Sequence, residues 1–185
     1  ISQATRVNAD MERKYREWIE KHGNADMDYL ANNLEKRLDP RLLVEGTRSI
    51  VSVALNYAPL RSFPEGELQL AAYALGLDYH DVVKNKLRQL ADAIGAQNYR
   101  VFCDSAPVLE RYWAEQSGLG WIGRNKNLII PYAGSMFFLG ELFLQEDVDV
   151  YDKPIRNRCG SCHRCQDACP TGALCGEFFN SELCL

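Results

Sequence analysis

A 185-residue chain with 46% hydrophobic and 25% charged positions has a globular composition, which excludes disordered and fibrous classes. Its formal net charge of −4 gives no overall attraction to nucleic acid or to an anionic membrane. Apolar runs such as 136-MFFLG-140 are too short to cross a bilayer, and no basic-then-apolar export segment opens the chain.

These features lead to the expectation of a protein with no membrane partner. The chain opens on 1-ISQATRVN-8 without a methionine and ends fifteen residues after Pro170, so it is expected to be trimmed at both ends.

In chain order, Asn8 is a good N-cap for a helix with Met11, Tyr15, Trp18 and Ile19 on one face, stopped by Gly23. A second helix is predicted over 27–37, ended by Pro40. The β-branched run 49-SIVSVALNY-57 reads as a strand covered on both faces. After a loop at 58–67, a helical stretch is expected around 68–75. Asp78 opens a helix over roughly 79–94, with Val82, Val83, Leu87, Leu90, Ala91 and Ile94 on its buried side.

A strand at 99–103 leads into a helix over 107–118, with proline at its first turn and glycine at its end. Strands are predicted at 127–131 and 135–144, the second with Gly140 inside it. The elements together give a mixed α/β sandwich over 1–150. Trp113 and Trp121 are read as core by default, and Phe137 and Phe138 must face opposite sides of their strand.

Six of the seven cysteines fall between Cys159 and Leu185, in a chain without export signals, which argues for a cofactor-holding segment over 151–185 rather than a disulfide framework. Cys159, Cys162, Cys165 and Cys169, followed by Pro170, form C-x2-C-x2-C-x3-C-P, the bacterial ferredoxin signature for [4Fe–4S] clusters. Three of these thiolates suit one cubane and the fourth a different one. A zinc ribbon would place its second cysteine pair a dozen or more residues away. The segment is thus the beginning of a small ferredoxin-like domain. The Cys169 cluster has two further thiols at hand, Cys175 and Cys184, and spacing leaves the choice open. Both clusters lack ligands within this chain.

Several stretches resemble epoxyqueuosine reductase: 34-LEKRLDPRLLVEGTRSIVSVALNYAP-59, 78-DYHDVVKNKL-87, 104-DSAPVLER-111, 117-SGLGWIGRN-125, 134-GSMFFLGEL-142 and 159-CGSCHRCQDACPTGAL-174. The resemblance implies a cobalamin-binding domain, two [4Fe–4S] clusters and reduction of epoxyqueuosine to queuosine in the anticodon loop of tRNA. It implies a cytoplasmic enzyme, expected as a monomer, with Asp104 as the proton donor. Cys159, Cys162 and Cys165 match ligands of the first cluster, Cys169 and Cys184 match ligands of the second, and Cys175 matches none. Arg37, Tyr79, His80, Asn125 and Ser135 are candidates for the corrin pocket. The electron donor is not specified.

Gly118, Gly120 and Gly123 spell G-x-G-x-x-G, but they follow a helix and enclose Trp121 and Ile122. They therefore suit a close backbone approach, to the corrin face, better than a dinucleotide cradle. Two other functions remain in view. One is a ferredoxin-type electron carrier, which needs no Asp104. The other is a cobalamin reductase acting on an organohalide.

Overall fold

The computed structural model describes residues 1–61, 63–176 and 178–184. In chain order the elements are β1 (Ser2–Gln3), α1 (Ala9–Glu20), α2 (Leu34–Leu38), α3 (Pro40–Leu43), β2 (Ser49–Asn56), α4 (Tyr79–Ala93), β3 (Tyr99–Phe102), α5 (Glu110–Gln116), β4 (Trp121–Ile122), β5 (Leu128–Ile129), β6 (Phe137–Leu144) and α6 (Arg164–Asp167), with short 3-10 turns at Asp28–Leu30, Ala72–Ala74 and Ser181–Leu183.

The main sheet has the order β1-β2-β6-β3, and every neighbouring pair is antiparallel. β2 and β3 therefore run parallel to each other. The last strand of the sheet, β6, is inserted between them, and α4 makes the connection. The expected mixed α/β architecture is present as an open antiparallel sheet with helices against it.

Alternation along the strands divides the core into two layers. Ile50, Phe102 and Phe143 face one side and pack with Trp113 and Tyr112 of α5, Leu38 of α2 and Val7. Val51, Val101, Leu142 and Leu144 face the other and receive Val83, Leu87 and Ala91 of α4. Val83 and Leu87 are each 1% exposed, which corresponds to about 1.5–3 kcal/mol of burial per side chain. Gly140 makes this packing possible: a Cβ there would come within 2.5 Å of Val83 Cγ1 and 3.1 Å of Leu87 Cδ1. The glycine inside the strand is a close-approach position for α4.

Asn8 caps α1 by accepting from the Met11 N–H at 2.8 Å, and Asp78 caps α4 by accepting from the His80 N–H at 2.9 Å. Trp113 and Trp121 are both buried, as their default reading holds.

Four expected elements differ. The helix over 27–37 is broken, because Asn33 adopts a left-handed conformation (φ 55°) between the 3-10 turn and α2. Pro40 starts α3 instead of merely ending a helix, since Asp39 caps the Arg41 N–H and a proline at the first helical position loses no hydrogen bond. The stretch 68–75 holds only a 3-10 turn at Ala72–Ala74, and Leu68 (79%) and Leu70 (54%) stay exposed with no helix face to bury them. α5 begins at Glu110, after Pro107, with a tight turn closed by Val108 N–H to the Ala106 carbonyl. Among the described residues, no helix is long and apolar enough to cross a membrane.

Candidate active site

β3 delivers the chain to Cys103 and Asp104 at the end of the strand. Cys103 is buried, and burial, followed by the negative charges of Glu110 and Glu141, pushes its thiol up to about 12. It is an unreactive core group. Asp104 turns outward with φ 60°, a left-handed conformation uncommon for a residue with a Cβ. Its side chain is 60% exposed and does not cap α5, whose N-cap residue is Leu109.

The first turn of α4 meets Asp104. The Tyr79 hydroxyl donates to Asp104 Oδ2, and His80 Nε2 lies 3.6 Å from the same oxygen. Burial, reinforced by the Asp104 carboxylate, raises the Tyr79 hydroxyl above its ordinary range, so it stays protonated as a donor at neutral pH. The Tyr79 ring is stacked on Phe138 with centroids 4.2 Å apart, and Phe138 in turn lies 4.6 Å from Tyr57. Asp78 holds His80 from the other side, with Oδ1 2.7 Å from Nδ1. The D-Y-H triplet thus provides a cap that holds His80, and a donor and an imidazole directed toward Asp104.

The remaining corrin-pocket candidates are more dispersed. Asn125 lies in the loop between β4 and β5, where its Oδ1 accepts from the Asn127 N–H at 3.2 Å. Arg111 of α5 donates to the Lys126 carbonyl and ties this loop to the helix that follows Asp104. Ser135 lies two residues before β6 and is half-buried. Arg37 is 8% exposed and spends its guanidinium on the carbonyls of Tyr29 (2.9 Å) and Asn32 (3.4 Å). Phe137 and Phe138 do lie on opposite faces, and Phe138 is the one beside Tyr79.

The glycine loop makes its close backbone approach within the fold. A Cβ on Gly120 would sit 2.3 Å from the Ile129 carbonyl oxygen, so the close approach is to the paired strand β5. The loop also supports the cysteine segment. Arg124 Nη2 donates to the Gly160 carbonyl at 2.8 Å, and Asn157 Nδ2 donates to the Ile122 carbonyl at 3.0 Å. On the far side, Trp18 Nε1 donates to the Phe179 carbonyl at 2.6 Å, and the Ser181 N–H to the Gly23 carbonyl at 3.1 Å.

Among the described residues, no two cysteines are joined in a disulfide. Cys159 and Cys162 share a turn (N–H to carbonyl, 2.9 Å), Cys165 lies on α6, and Cys169 follows it. The Cys169 thiol is held below its usual range by N–H groups of the following turn, that of Leu174 foremost, with the Thr171 hydroxyl adding to them. Cys175 Sγ faces the Gln166 carbonyl at 3.7 Å, and Cys184 is exposed. Among the described residues, no three His, Cys, Asp or Glu side chains are gathered as for a single metal ion. In donor chemistry the four motif thiols fit an iron–sulfur group, and a thiol whose anion receives backbone N–H bonds is prepared to act as a ligand.

Cavity size does not single out a cofactor pocket. An apolar groove of about 190 Å³ between β2 and α4, lined by residues including Val53, Leu55, Val83 and Leu90, is smaller than the roughly 300–1,000 Å³ typical of ligand pockets. The side chains around Asp104 fit a corrin in kind, with aromatic faces at Tyr79 and Phe138 beside polar groups at His80 and Asp104.

Sequence reasoning missed the acidic side chains behind this site. Glu141 of β6 is fully buried, and Glu110 at the start of α5 accepts the Asp104 N–H. Burial, with a further contribution from the Asp104 charge, raises the Glu110 carboxyl to about 7. Burial and then Glu110 raise that of Glu141 well above the ordinary range. The available signal was a glutamate inside the apolar run 137-FFLGELFL-144.

The family model "Epoxyqueuosine reductase QueG, DUF1730" matches residues 37–105. An epoxyqueuosine reductase of Cellulophaga algicola is 43% identical over 180 residues, which cover 90% of this chain and 58% of that protein. The crystal structure of an epoxyqueuosine reductase with an epoxyqueuosine-modified tRNA-Tyr stem loop superposes with a TM-score of 0.85 at 30% identity, covering 99% of this chain and 50% of that one. The enzyme from Streptococcus thermophilus gives a TM-score of 0.86 at 29% identity, covering 100% and 51%. The chain spans about half the length of the relatives it matches. By family model over 37–105, by sequence and by fold, the chain is similar to epoxyqueuosine reductases along most of its length.

Proposed function

We propose that this chain is the catalytic portion of a cytoplasmic epoxyqueuosine reductase that acts on the anticodon loop of tRNA. Residues 1–150 form the cobalamin-binding catalytic domain, and 151–185 form the beginning of the ferredoxin-like domain. Cys159, Cys162 and Cys165 would hold one [4Fe–4S] cluster, and Cys169 and Cys184 would contribute to the other. Arg37, Tyr79, His80, Asn125 and Ser135 would line the corrin site. A relative bound to an epoxyqueuosine-modified stem loop supports the choice of substrate.

Removing the epoxide oxygen as water takes two electrons and two protons and leaves the alkene. When bound, cobalamin and the clusters supply the electrons, a chemistry that belongs to the cofactors. The chain's own residues handle one of the two protons, carried by the protonated Asp104 carboxyl, and solvent water supplies the other. Asp104 offers its proton from a side chain open to a bound substrate. The Tyr79 hydroxyl, fixed as a donor, then stabilises the carboxylate left at Oδ2. His80, held by Asp78, faces the same oxygen and keeps positive charge available there when protonated.

The observation that carries this reading is the convergence of Tyr79 and His80 on the outward-turned carboxyl of Asp104. Its test is turnover by the cofactor-loaded holoenzyme on an epoxyqueuosine-modified stem loop, read by mass spectrometry. Loss of one oxygen from the modified base is expected. Reduction of an organohalide with no conversion of the stem loop would contradict it.

A further inference from the structure

Glu141 lies in the middle of β6 with no exposed surface, opposite Ser52 of β2 and Phe102 of β3. Neither of its carboxyl oxygens receives a hydrogen bond from an N–H or hydroxyl group of the described residues. α5 packs against β6, and the carboxyl of Glu110 at the start of α5 is the group that interacts with Glu141. Two carboxyls in a desolvated layer cannot both be ionised at hydrogen-bonding distance; one proton between them removes the repulsion and makes the bond. On its other side, Glu110 accepts the backbone N–H of Asp104. That residue is left-handed, a conformation an aspartate holds when its surroundings support it.

We propose that Glu110 and Glu141 are a positioning pair sharing one proton. Glu141 keeps the proton and donates it to Glu110, whose remaining negative charge clamps the Asp104 N–H and fixes the turn that presents the Asp104 carboxyl. The proposal rests on the reading of Asp104 as proton donor. Neither glutamate touches substrate in this scheme; both act through the backbone of Asp104.

The clamp depends on charge. A second proton, on Glu110, converts a charge-assisted hydrogen bond into a weaker neutral one and loosens the turn. The groups facing the pair are Asp104 and Cys103 from the end of β3, Arg111 from α5 and Tyr79 from α4, while β2 presents the uncharged Ser52. Arg111 favours the charged form of Glu110, and Asp104 opposes it. Burial places the second protonation at about 7, so the clamp would be adjustable near neutral pH.

The test is a nuclear magnetic resonance titration of the isotopically labelled chain from about pH 5 to about pH 9. The Asp104 amide proton is expected downfield at high pH and to move upfield with the same midpoint as the Glu110 carboxyl carbon. Glu110→Gln abolishes that step. Glu141→Leu, which removes the donated proton, moves the midpoint up by about one pH unit or more.

An Asp104 amide that does not follow Glu110, or a step that survives Glu110→Gln, would overturn the proposal. Should either variant fail to fold, the carboxyl carbons of the unchanged chain decide. Glu141 protonated across the range with Glu110 titrating supports the pair, and both glutamates ionised at the acid end refutes it. No substrate or cofactor enters these measurements. Failure of Asp104 as the acid would appear separately, as undiminished turnover of Asp104→Ala.

Discussion

The Tyr79 hydroxyl donates to the Asp104 carboxylate, joining the first turn of the helix α4 to the turn that ends strand β3. The contact brings together two stretches 25 residues apart in sequence. It depends on Tyr79 being held flat against Phe138 of the central strand.

Tyr79→Phe is expected to keep the ring on Phe138 and lose only the hydroxyl. A hydrogen bond to a charged group contributes about 1.5–3 kcal/mol, so turnover should fall by roughly tenfold or more. Near-ultraviolet circular dichroism should remain that of a folded protein. Unchanged turnover would show that this bond does not assist Asp104.

Gly120→Ala is expected to destabilise the chain by about 1–3 kcal/mol, because the new methyl meets the Ile129 carbonyl oxygen of the paired strand. Gly76 has open space around its Cβ direction, so Gly76→Ala should leave the melting temperature unchanged. Thermal unfolding of the two variants side by side checks both expectations. Equal melting temperatures would remove the close-approach role of Gly120.

Much of this framework was legible in the sequence because local signals agreed with burial. Asp78 and the Val83, Leu87 and Ala91 stripe defined α4, and the β-branched run from Ser49 defined β2. Local signals failed where a single backbone conformation or a long-range contact decided. Asn33 breaks a periodic helix by turning left-handed, and the leucines near 68–75 carry an apolar pattern with no packing partner. Tyr79, His80 and Asp104 were identifiable from their motifs. Glu110 and Glu141 lie 31 positions apart, and only folding makes them neighbours.

Stability should decline as pH rises through neutrality on account of Glu110. Its folded value of about 7 lies above the ordinary 4.5, so the native state retains a proton that the unfolded chain has released. The contribution is fully present below about 4.5 and is lost as pH climbs through about 7. Urea unfolding across this window should show the slope in the unchanged chain and a flatter profile in Glu110→Gln. Equal slopes would contradict the assignment.

In the metal-free chain, Cys169 should alkylate ahead of Cys103. N–H groups of the following turn favour the Cys169 thiolate, whereas burial holds the Cys103 thiol at about 12. Timed iodoacetamide labelling with peptide mass spectrometry reads the order. Modification of Cys103 in the folded chain at a comparable rate would contradict the burial described here.

The most direct measurement is single-turnover reduction of an epoxyqueuosine-modified stem loop by the cofactor-loaded holoenzyme, comparing the unchanged protein with Asp104→Ala and with cobalamin binding measured on both. With Asp104 as the proton donor, the variant folds and binds cobalamin with unchanged affinity while its turnover falls by roughly a hundredfold or more. Turnover close to that of the unchanged protein would remove Asp104 from the chemistry and contradict the account.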